Sequence, residues 1–413
     1  MRIRHHASLG LWCGNNEIEG NFMTGFVGNK PAERGEYIRL FENILPNLVD
    51  RYDPDTFYWP SSPSSCGGFE DSNAADRGDV HYWDVWHLNK PFTEYRKNLF
   101  RFVSEFGFQS FPCEKTVKSF TLPQDRNIFS RVMEIHQRNN SANGRILNYL
   151  AQTFLYPADF DTLLYASQLL QAEAIRYGVE HWRRNRGHCM GAIYWQLNDC
   201  WPVASWASID YFGRWKALHY YAKRFFAPVL LSCCEEGTLT QRTNINAEMP
   251  ESNVKKSIQL NVSNETKDRQ QYSVVWALRH GDGQIIEEGT ETGTIGALST
   301  VWLEKHDFAD ADLYGDYVSY ALFLNGKQAS DGSVLFCAPK HFRFIDPELE
   351  LSVGNGEVTV TAHAYARSVE ITCEDGDVLL EDNYFDMNGG SKTVRIVKGL
   401  GTKFEVRSVF DIR

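Results

Sequence analysis

Short apolar runs in the first half of the chain predict buried β-strands. The runs cover residues 7–13, 56–59, 80–86, 99–105 and 191–196. Polar side chains follow two of them closely, as Asn16 and Glu17 follow the first run and Asp199 follows the last. Because the carboxyl ends of parallel strands meet at one edge of a sheet, this arrangement is typical of a β/α fold that carries its chemistry there.

Helical periodicity separates these runs. Between residues 33 and 49, apolar side chains recur at intervals of three and four and form one face of a helix. Further helices are predicted at residues 127–137, 160–184 and 214–226. Alternating strands and helices predict a (β/α)8 barrel, but a closed barrel needs eight strands and the pattern predicts only five. We therefore expect residues 1–227 to form part of a barrel.

The pattern changes to a period of two after residue 227. Tyr272, Val274, Trp276 and Leu278 alternate with polar residues, and Asn325-Gly326 is a tight turn signal. This pattern predicts a β-sandwich at residues 228–342 and a smaller all-β domain at residues 343–413. The predicted fold class is α/β plus all-β, with a partial TIM barrel followed by two immunoglobulin-like β-sandwich domains.

Composition narrows the class of protein. The chain has 413 residues and a net charge of −11, which argues against a nucleic-acid partner because such proteins present a basic face. No run approaches the roughly 18 apolar residues that cross a bilayer, so no membrane partner is expected. The nine cysteines show no CxxC motif, and no apolar leader follows Met1. We expect reduced thiols in the cytoplasm, while a longer parent with a signal peptide would be periplasmic or secreted.

Two glutamates, Glu17 and Glu105, are the strongest candidates for chemistry. Each follows an apolar, strand-like run and precedes a glycine or a polar turn, which would hold its carboxylate rigidly toward a cleft. Two facing carboxylates are the equipment of glycoside hydrolysis. The alternative is a pair of surface glutamates at strand ends. Tryptophan, which forms flat floors in sugar sites, is also concentrated early, with nine of 11 before residue 216, although each could be a core residue.

Several longer motifs resemble the bacterial β-mannosidases of glycoside hydrolase family two. Residues 12–17 (WCGNNE) resemble the acid/base motif of that family, and residues 104–110 (SEFGFQS) resemble its nucleophile motif. Residues 194–206 and 210–216 are similar to the end of its barrel, and residues 383–386 (NYFD) to a motif of its C-terminal domain. The resemblance therefore extends over nearly the whole chain.

This resemblance implies a retaining exo-β-mannosidase that removes terminal β-D-mannose from oligosaccharides. Glu105 would be the nucleophile, and Glu17 would be the acid/base, with a raised pKa. Retention requires carboxyl groups roughly 5–5.5 Å apart. The resemblance implies no metal and no cofactor.

The same resemblance suggests the residues that bind substrate. Asn16 would bond the sugar 2-OH and Trp195 would form the floor of the sugar site. Tyr82 or Trp83 would lie beside the nucleophile, while Asp199 would bind a hydroxyl or cap a loop. His81 is expected to be structural because the mechanism needs no imidazole.

Family members carry N-terminal domains and the first barrel strands before the acid/base motif. Here that motif ends at Glu17, so the chain resembles the C-terminal part of such an enzyme. We expect little activity from this part alone, with an N-terminal half as a partner. The alternatives are another family-two β-glycosidase, such as an exo-glucosaminidase or galactosidase, and a non-catalytic carbohydrate-binding fragment.

Overall fold

The first part of the molecule contains short parallel strands and many helices. The computed structural model describes residues 2–25, 31–241 and 251–413. The strands of this part are β1 (Leu11–Cys13), β2 (Phe57–Trp59), β3 (Val80–His81) and β4 (Val103–Glu105). Its helices are α1 (Ile18–Thr24), α2 (Pro31–Tyr37), α3 (Leu45–Tyr52), α4 (Asp84–His87), α5 (Glu114–Lys118), α6 (Arg131–Ile135), α7 (Ala142–Thr153), α8 (Phe160–Arg184) and α9 (Ala217–Phe225). A further helix, α10 (Thr238–Gln241), belongs to the second part.

The short strands pair in parallel, as a β/α fold requires. β1 pairs with β2 and β3 pairs with β4. The prediction of a strand at residues 191–196 is wrong. This segment makes only isolated parallel bridges, from Ala192 to Val103 and from Trp195 to Gly107. The run at 80–86 is also shorter than predicted, since α4 begins at Asp84. Short apolar runs do not distinguish strand from helix by periodicity alone.

The longest predicted helix is confirmed as α8. Its first turn is capped by Asp159, whose side chain accepts a hydrogen bond of 2.8 Å from the backbone N–H of Thr162. The helix predicted at residues 33–49 lies within α2, a π-helical stretch at Ile38–Ile44 and α3. The helix predicted at 127–137 is limited to α6, and α7 was not predicted.

The second part is antiparallel. Its strands are β5 (Val229–Glu236), β6 (Ser257–Asn264), β7 (Gln270–His280), β8 (Ile285–Ile295), β9 (Ser299–Asp307), β10 (Asp316–Leu324) and β11 (Lys327–Leu335). They form one sheet in the order β5-β6-β9 and another in the order β11-β10-β7-β8, with an apolar cluster that both sheets share. The predicted turn between β10 and β11 is confirmed, because Asn325 and Gly326 both have positive φ angles, of 50° and 77°.

The third part is a smaller antiparallel sheet with its own apolar cluster. Its strands are β12 (Glu350–Gly354), β13 (Glu357–Cys373), β14 (Leu379–Leu380), β15 (Phe385–Lys398) and β16 (Phe404–Arg407). The sheet order is β12-β13-β15-β14, and β16 pairs with the far end of β13. Val358, Val360 and Ala362 of β13 are buried as their alternation predicts.

Helix α8 joins the three parts. Tyr165 donates its hydroxyl to the carbonyl of Ser368 at 2.7 Å, which links α8 to β13. Arg184 of α8 donates to the carbonyl of Cys233 at 3.2 Å, which links α8 to β5. In residues 2–25, 31–241 and 251–413, no helix has both the length and the apolar content needed to span a membrane.

Candidate active site

Glu17 is held in an unusual backbone conformation directly after β1. Its φ angle is 61°, in the left-handed region that few residues other than glycine adopt. Its N–H donates to the carbonyl of Ser62 at 2.7 Å. Next to it, Asn15 donates to the carbonyl of Pro60 at 3.0 Å and accepts from the hydroxyl of Ser61 at 2.8 Å. These bonds fix the position from which the half-exposed Glu17 side chain projects.

Glu105 ends β4 and is more buried than Glu17. Its side chain is 14% exposed, against 41% for Glu17. The indole N–H of Trp83 donates to Oε1 of Glu105 at 3.1 Å. Since β3 pairs with β4, the segment that carries Trp83 runs beside the strand that carries Glu105.

The structure brings the two predicted carboxylates together. An oxygen of Glu17 and an oxygen of Glu105 lie within 4.8 Å of each other. Nδ1 of His81 lies between them, 2.7 Å from Oε1 of Glu17 and 3.7 Å from Oε2 of Glu105. Two glutamates 88 residues apart in sequence therefore face one small region.

The pKa values of the two glutamates shift in opposite directions. The hydrogen bond from His81 lowers the pKa of Glu17 below its ordinary value, against the opposing effect of burial. Burial raises the pKa of Glu105, and the negative charge of Glu17 adds to this rise. The expected raised pKa of Glu17 is therefore wrong for this structure, because the imidazole contact outweighs the burial of the carboxyl group.

His81 is the main site residue whose position sequence reasoning missed. Its backbone N–H donates to Oδ1 of Asn73 at 2.8 Å, and its carbonyl accepts from Nδ2 of Asn73 at 3.1 Å. The ring is almost fully buried and touches both carboxylates. The signal that could have found it is spacing, because His81 lies two residues before Trp83 and alternate residues of an extended segment share a face.

The prediction that Tyr82 contacts substrate is wrong for this structure. Its side chain is buried in the hydrophobic core, against Tyr95 and Phe100. Its hydroxyl accepts a hydrogen bond of 3.0 Å from Nδ2 of Asn98. The ring points to the core because it lies on the strand face opposite His81. Of the two aromatic candidates beside the nucleophile, the structure places Trp83 there.

Asn16 and Trp195 both present exposed side chains near the strand ends. Asn16 forms a parallel bridge with Ser62, next to Glu17. Trp195 donates its backbone N–H to the carbonyl of Phe106 at 2.7 Å, beside Glu105, and its side chain is 44% exposed. Their positions leave both side chains accessible, and their contacts with a sugar remain predictions.

Asp199 has partners within its own loop. Its Oδ2 accepts from the hydroxyl of Ser205 at 2.8 Å, and its Oδ1 accepts from Nε2 of Gln196 at 3.4 Å. Burial raises its pKa, while the charge of the buried Lys216 opposes this rise. These contacts support the loop-capping interpretation over the binding of a sugar hydroxyl.

Glu17, His81 and Glu105 are also the residues that could hold a metal ion. Each offers one ligand atom, and these atoms lie within 4.8 Å of one another. Within the described part of the chain, no other group of three such residues lies so close together. In this structure Nδ1 of His81 is hydrogen-bonded to Oε1 of Glu17.

Two cavities lie away from this cluster. Their volumes are about 260 Å³ and 140 Å³, and both border α8 where it meets the β-domains. Neither Glu17 nor Glu105 lines them. The paired carboxylates are thus separate from both cavities.

Family models match both β-rich parts. The model described as a mannosidase Ig/CBM-like domain matches residues 256–341. A second mannosidase model, described as an Ig-fold domain, matches residues 344–412. The all-β character predicted for this half of the chain is consistent with both matches.

Sequence relatives extend the similarity to the rest of the chain. A β-mannosidase B from Thermothelomyces thermophilus is 30% identical over 98% of this chain, but the match covers 51% of the relative. A β-mannosidase B from Aspergillus clavatus is 36% identical over 57% of this chain and 29% of the relative. The chain thus spans about half the length, or less, of the curated relatives it matches, and it aligns with their C-terminal part.

Solved structures give the same result for the fold. The crystal structure of a β-D-mannosidase from Dictyoglomus thermophilum matches 98% of this chain and 49% of its own, at 27% identity and a TM-score of 0.85. An exo-chitosanase from Amycolatopsis orientalis matches 90% of this chain at 16% identity and a TM-score of 0.60, a likeness in fold alone. The resemblance to β-mannosidases predicted from the motifs is therefore confirmed over the C-terminal half of those proteins.

Proposed function

We propose that this chain supplies the catalytic carboxylates of a retaining β-mannosidase. The observation that carries the proposal is the proximity of Glu17 and Glu105, whose oxygens lie within 4.8 Å at the ends of parallel strands. A sequence relative and a solved structure named β-mannosidase, each matching 98% of the chain, support the substrate class. The reaction is the hydrolysis of terminal β-D-mannosides.

The spacing of the carboxyl groups favours retention over inversion. Inverting glycosidases keep their carboxyl groups about 6.5–9.5 Å apart to admit a water molecule, whereas retaining enzymes hold them about 5–5.5 Å apart. Glu105 attacks the anomeric carbon, and Glu17 protonates the leaving oxygen and later deprotonates water. Trp83 stabilises the anionic form of Glu105 by its hydrogen bond. Asn16 and Trp195 bind the sugar ring.

The proposed enzyme also needs a further half to complete a (β/α)8 barrel. Among the described residues, β1 has one neighbouring strand, β2. Leu11 and Phe57 on this pair are exposed, as are Ile193 and Leu197 on the segment that bridges to β4. Apolar side chains at both open edges favour cover by strands and helices like those of the longer relatives. The isolated chain is therefore proposed to be inactive. Its proposed domains are residues 1–227, 228–342 and 343–413.

A chimera tests the activity. This chain would replace the matching C-terminal part of the Thermothelomyces thermophilus relative, and hydrolysis of p-nitrophenyl β-mannoside would be measured. We expect turnover with a β-configured first product, and a loss of about 10²–10⁴-fold for Glu17→Ala. Azide should rescue Glu17→Ala with β-mannosyl azide as the product, while Glu105→Gly should give the α-azide. A chimera that folds but keeps its activity after both substitutions would overturn the assignment.

Two controls define the substrate and the need for the second half. p-Nitrophenyl β-galactoside and β-glucosaminide in parallel test the other β-glycosidase activities, and preferred cleavage of either would replace mannose as the substrate. The isolated chain, assayed beside its Glu105→Ala variant, tests for the second half. Activity that disappears in the Glu105→Ala variant would mean that the chain is sufficient alone.

A further inference from the structure

Asp79 is surrounded by hydrogen-bond donors. Its Oδ1 accepts from the indole of Trp59 at 2.8 Å and from the backbone N–H of Ser64 at 3.0 Å. Its Oδ2 accepts from the hydroxyls of Ser62 at 2.7 Å and Ser104 at 2.5 Å. Four donors surround one carboxyl group, so both oxygens of Asp79 act as acceptors. The hydroxyl of Ser62 has two acceptors within reach, Oδ2 of Asp79 at 2.7 Å and Oγ of Ser104 at 3.2 Å. The carboxyl oxygen is the nearer one, so the single proton of Ser62 points to Asp79.

This assignment fixes one nitrogen of the neighbouring imidazole. Oγ of Ser62 lies 3.0 Å from Nε2 of His81. A serine hydroxyl has one proton, and here that proton is directed to Asp79. The contact between Ser62 and His81 is therefore a hydrogen bond only if Nε2 of His81 carries a proton and donates it.

The proton on Nε2 determines what happens at the other nitrogen. A neutral imidazole has one N–H, so Nδ1 of His81 is then an acceptor, and the partner 2.7 Å away must donate. That partner is Oε1 of Glu17, which donates only as a protonated carboxylic acid. If His81 instead carries two protons, Glu17 is an ionised acceptor. In both forms one proton lies between Glu17 and His81.

We propose that His81 is a positioning residue that shares the acid proton of Glu17, with its orientation fixed by Ser62 and Asp79. This inference rests on the proposed role of Glu17 as the acid/base. In the first step the shared proton passes to the leaving oxygen as the glycosidic bond breaks, and the pair is left without it. In the second step the attacking water returns one proton to the pair while its oxygen bonds to the anomeric carbon.

The surroundings of the pair favour this arrangement. The charge of Glu105, whose Oε2 is 3.7 Å from Nδ1 of His81, favours a proton on the Glu17–His81 pair. His87 also acts on Glu17, and its own pKa is lowered by burial, which favours its neutral form. The two hydrogen bonds with Asn73 hold the backbone of His81 in place. The lowered pKa of Glu17, caused mainly by its hydrogen bond with His81, agrees with the form in which the shared proton resides on the imidazole.

Nitrogen NMR of this chain, labelled with ¹⁵N-histidine and measured at pH 7, tests the proposal without turnover. The His81 signals are assigned by their loss in His81→Gln. We expect a proton on Nε2, with Nδ1 either hydrogen-bonded as an acceptor or also protonated. A neutral ring with its only proton on Nδ1 would overturn the proposal. Failure of the hydrolysis assay would leave this readout unaffected, so the two proposals fail separately.

Two variants separate proton sharing from a merely structural histidine. In Ser62→Ala, Nε2 loses its acceptor, and we expect the ring to shift toward the form with its proton on Nδ1. In Glu17→Gln, which changes a half-exposed side chain and should fold, the acidic proton is lost and only an amide N–H can donate, so Nδ1 should be an unprotonated acceptor while Nε2 keeps its proton. If both variants leave the His81 nitrogen signals unchanged, the pair does not share a proton.

Discussion

The indole N–H of Trp83 donates a hydrogen bond of 3.1 Å to Oε1 of Glu105. Glu105 is otherwise a poorly solvated carboxylate at the end of β4, and burial raises its pKa. A hydrogen bond to the charged form of an acid opposes such a rise. The indole is thus one of the groups that keep the proposed nucleophile available in its ionised form.

Replacement of Trp83 should make Glu105 harder to ionise. In Trp83→Phe the ring is largely kept but the N–H is lost, so we expect the pKa of Glu105 to rise further. Carbon NMR of side-chain carboxyl groups across a pH series measures this change directly. In the chimera, we expect turnover to fall near neutral pH and to recover at pH values above the raised pKa of Glu105.

Trp206→Phe is the matched control for this change. The indole of Trp206 packs edge-on against Trp83, and its N–H has no hydrogen-bond partner within the described residues. Its loss should leave the pKa of Glu105 unchanged. An equal rise in the pKa of Glu105 in both variants would mean that ring packing causes the effect and the hydrogen bond does not.

Glu105 should also reduce the stability of the fold at neutral pH. Because its pKa in the folded chain is above the ordinary value of 4.5, folding favours its protonated form. The stability associated with this group is present below about pH 4.5 and is lost as the pH rises through the folded pKa. Glu105→Gln should therefore resist urea better than the natural chain at pH 7, by on the order of 1 kcal/mol.

The gain in Glu105→Gln should shrink toward zero as the pH falls below 4.5, and urea unfolding at several pH values measures it. Glu287→Gln on the exposed surface of β8 is the control, and we expect no such pH-dependent gain from it. A gain that stays constant with pH would contradict an ionisation effect.

The elements that were predicted correctly from the sequence are those whose signals are local. Helix α8 has a capping aspartate and a sustained apolar face, and the turn at Asn325-Gly326 needs only two residues with positive φ. Helix α7 was missed because Asn143 and Gly144 in its first turn are weak helix formers, and Ser141 at its N-cap makes no capping hydrogen bond.

The predictions that failed concern residues whose surroundings depend on the tertiary structure. The segment around Tyr82 is apolar on both faces, so its pattern does not tell which side meets the carboxylates. His81 and Glu17 are 64 residues apart, and their contact arises from the way β3 follows β1 and β2 in space. That contact lowers the pKa of Glu17. The motif at residues 12–17 could therefore identify the glutamate but not the direction of its pKa shift.

Glu19 illustrates the same limit, since nothing in its local sequence distinguishes it from a surface glutamate and the structure buries it completely. Its carboxyl group accepts from the hydroxyl of Ser64 at 2.7 Å and from the backbone N–H of Phe69 at 3.2 Å. Glu19→Ala would leave both donors without their acceptor, so we expect a loss of about 1–3 kcal/mol in urea unfolding. Glu36→Ala, at a side chain that is 75% exposed, should change stability little.

The motif at residues 383–386 makes a buried contact that can be tested in the same way. The hydroxyl of Tyr384 donates to Oε1 of Glu370 at 2.7 Å, and Arg407 donates to the other oxygen at 2.5 Å. Tyr384→Phe removes one of these donors from a buried carboxylate, and we expect a loss of about 1.5–3 kcal/mol, the range for hydrogen bonds to charged groups.

Tyr211→Phe removes a half-exposed hydroxyl and is the control for Tyr384→Phe. Because the carbonyl of Tyr384 also accepts from Arg224 of α9 at 2.8 Å, loosening of this residue should weaken the contact between β15 and the helices. Limited proteolysis should then release the C-terminal sheet faster from Tyr384→Phe than from Tyr211→Phe. Equal cleavage rates together with equal urea midpoints would mean that Tyr384 contributes through its ring alone.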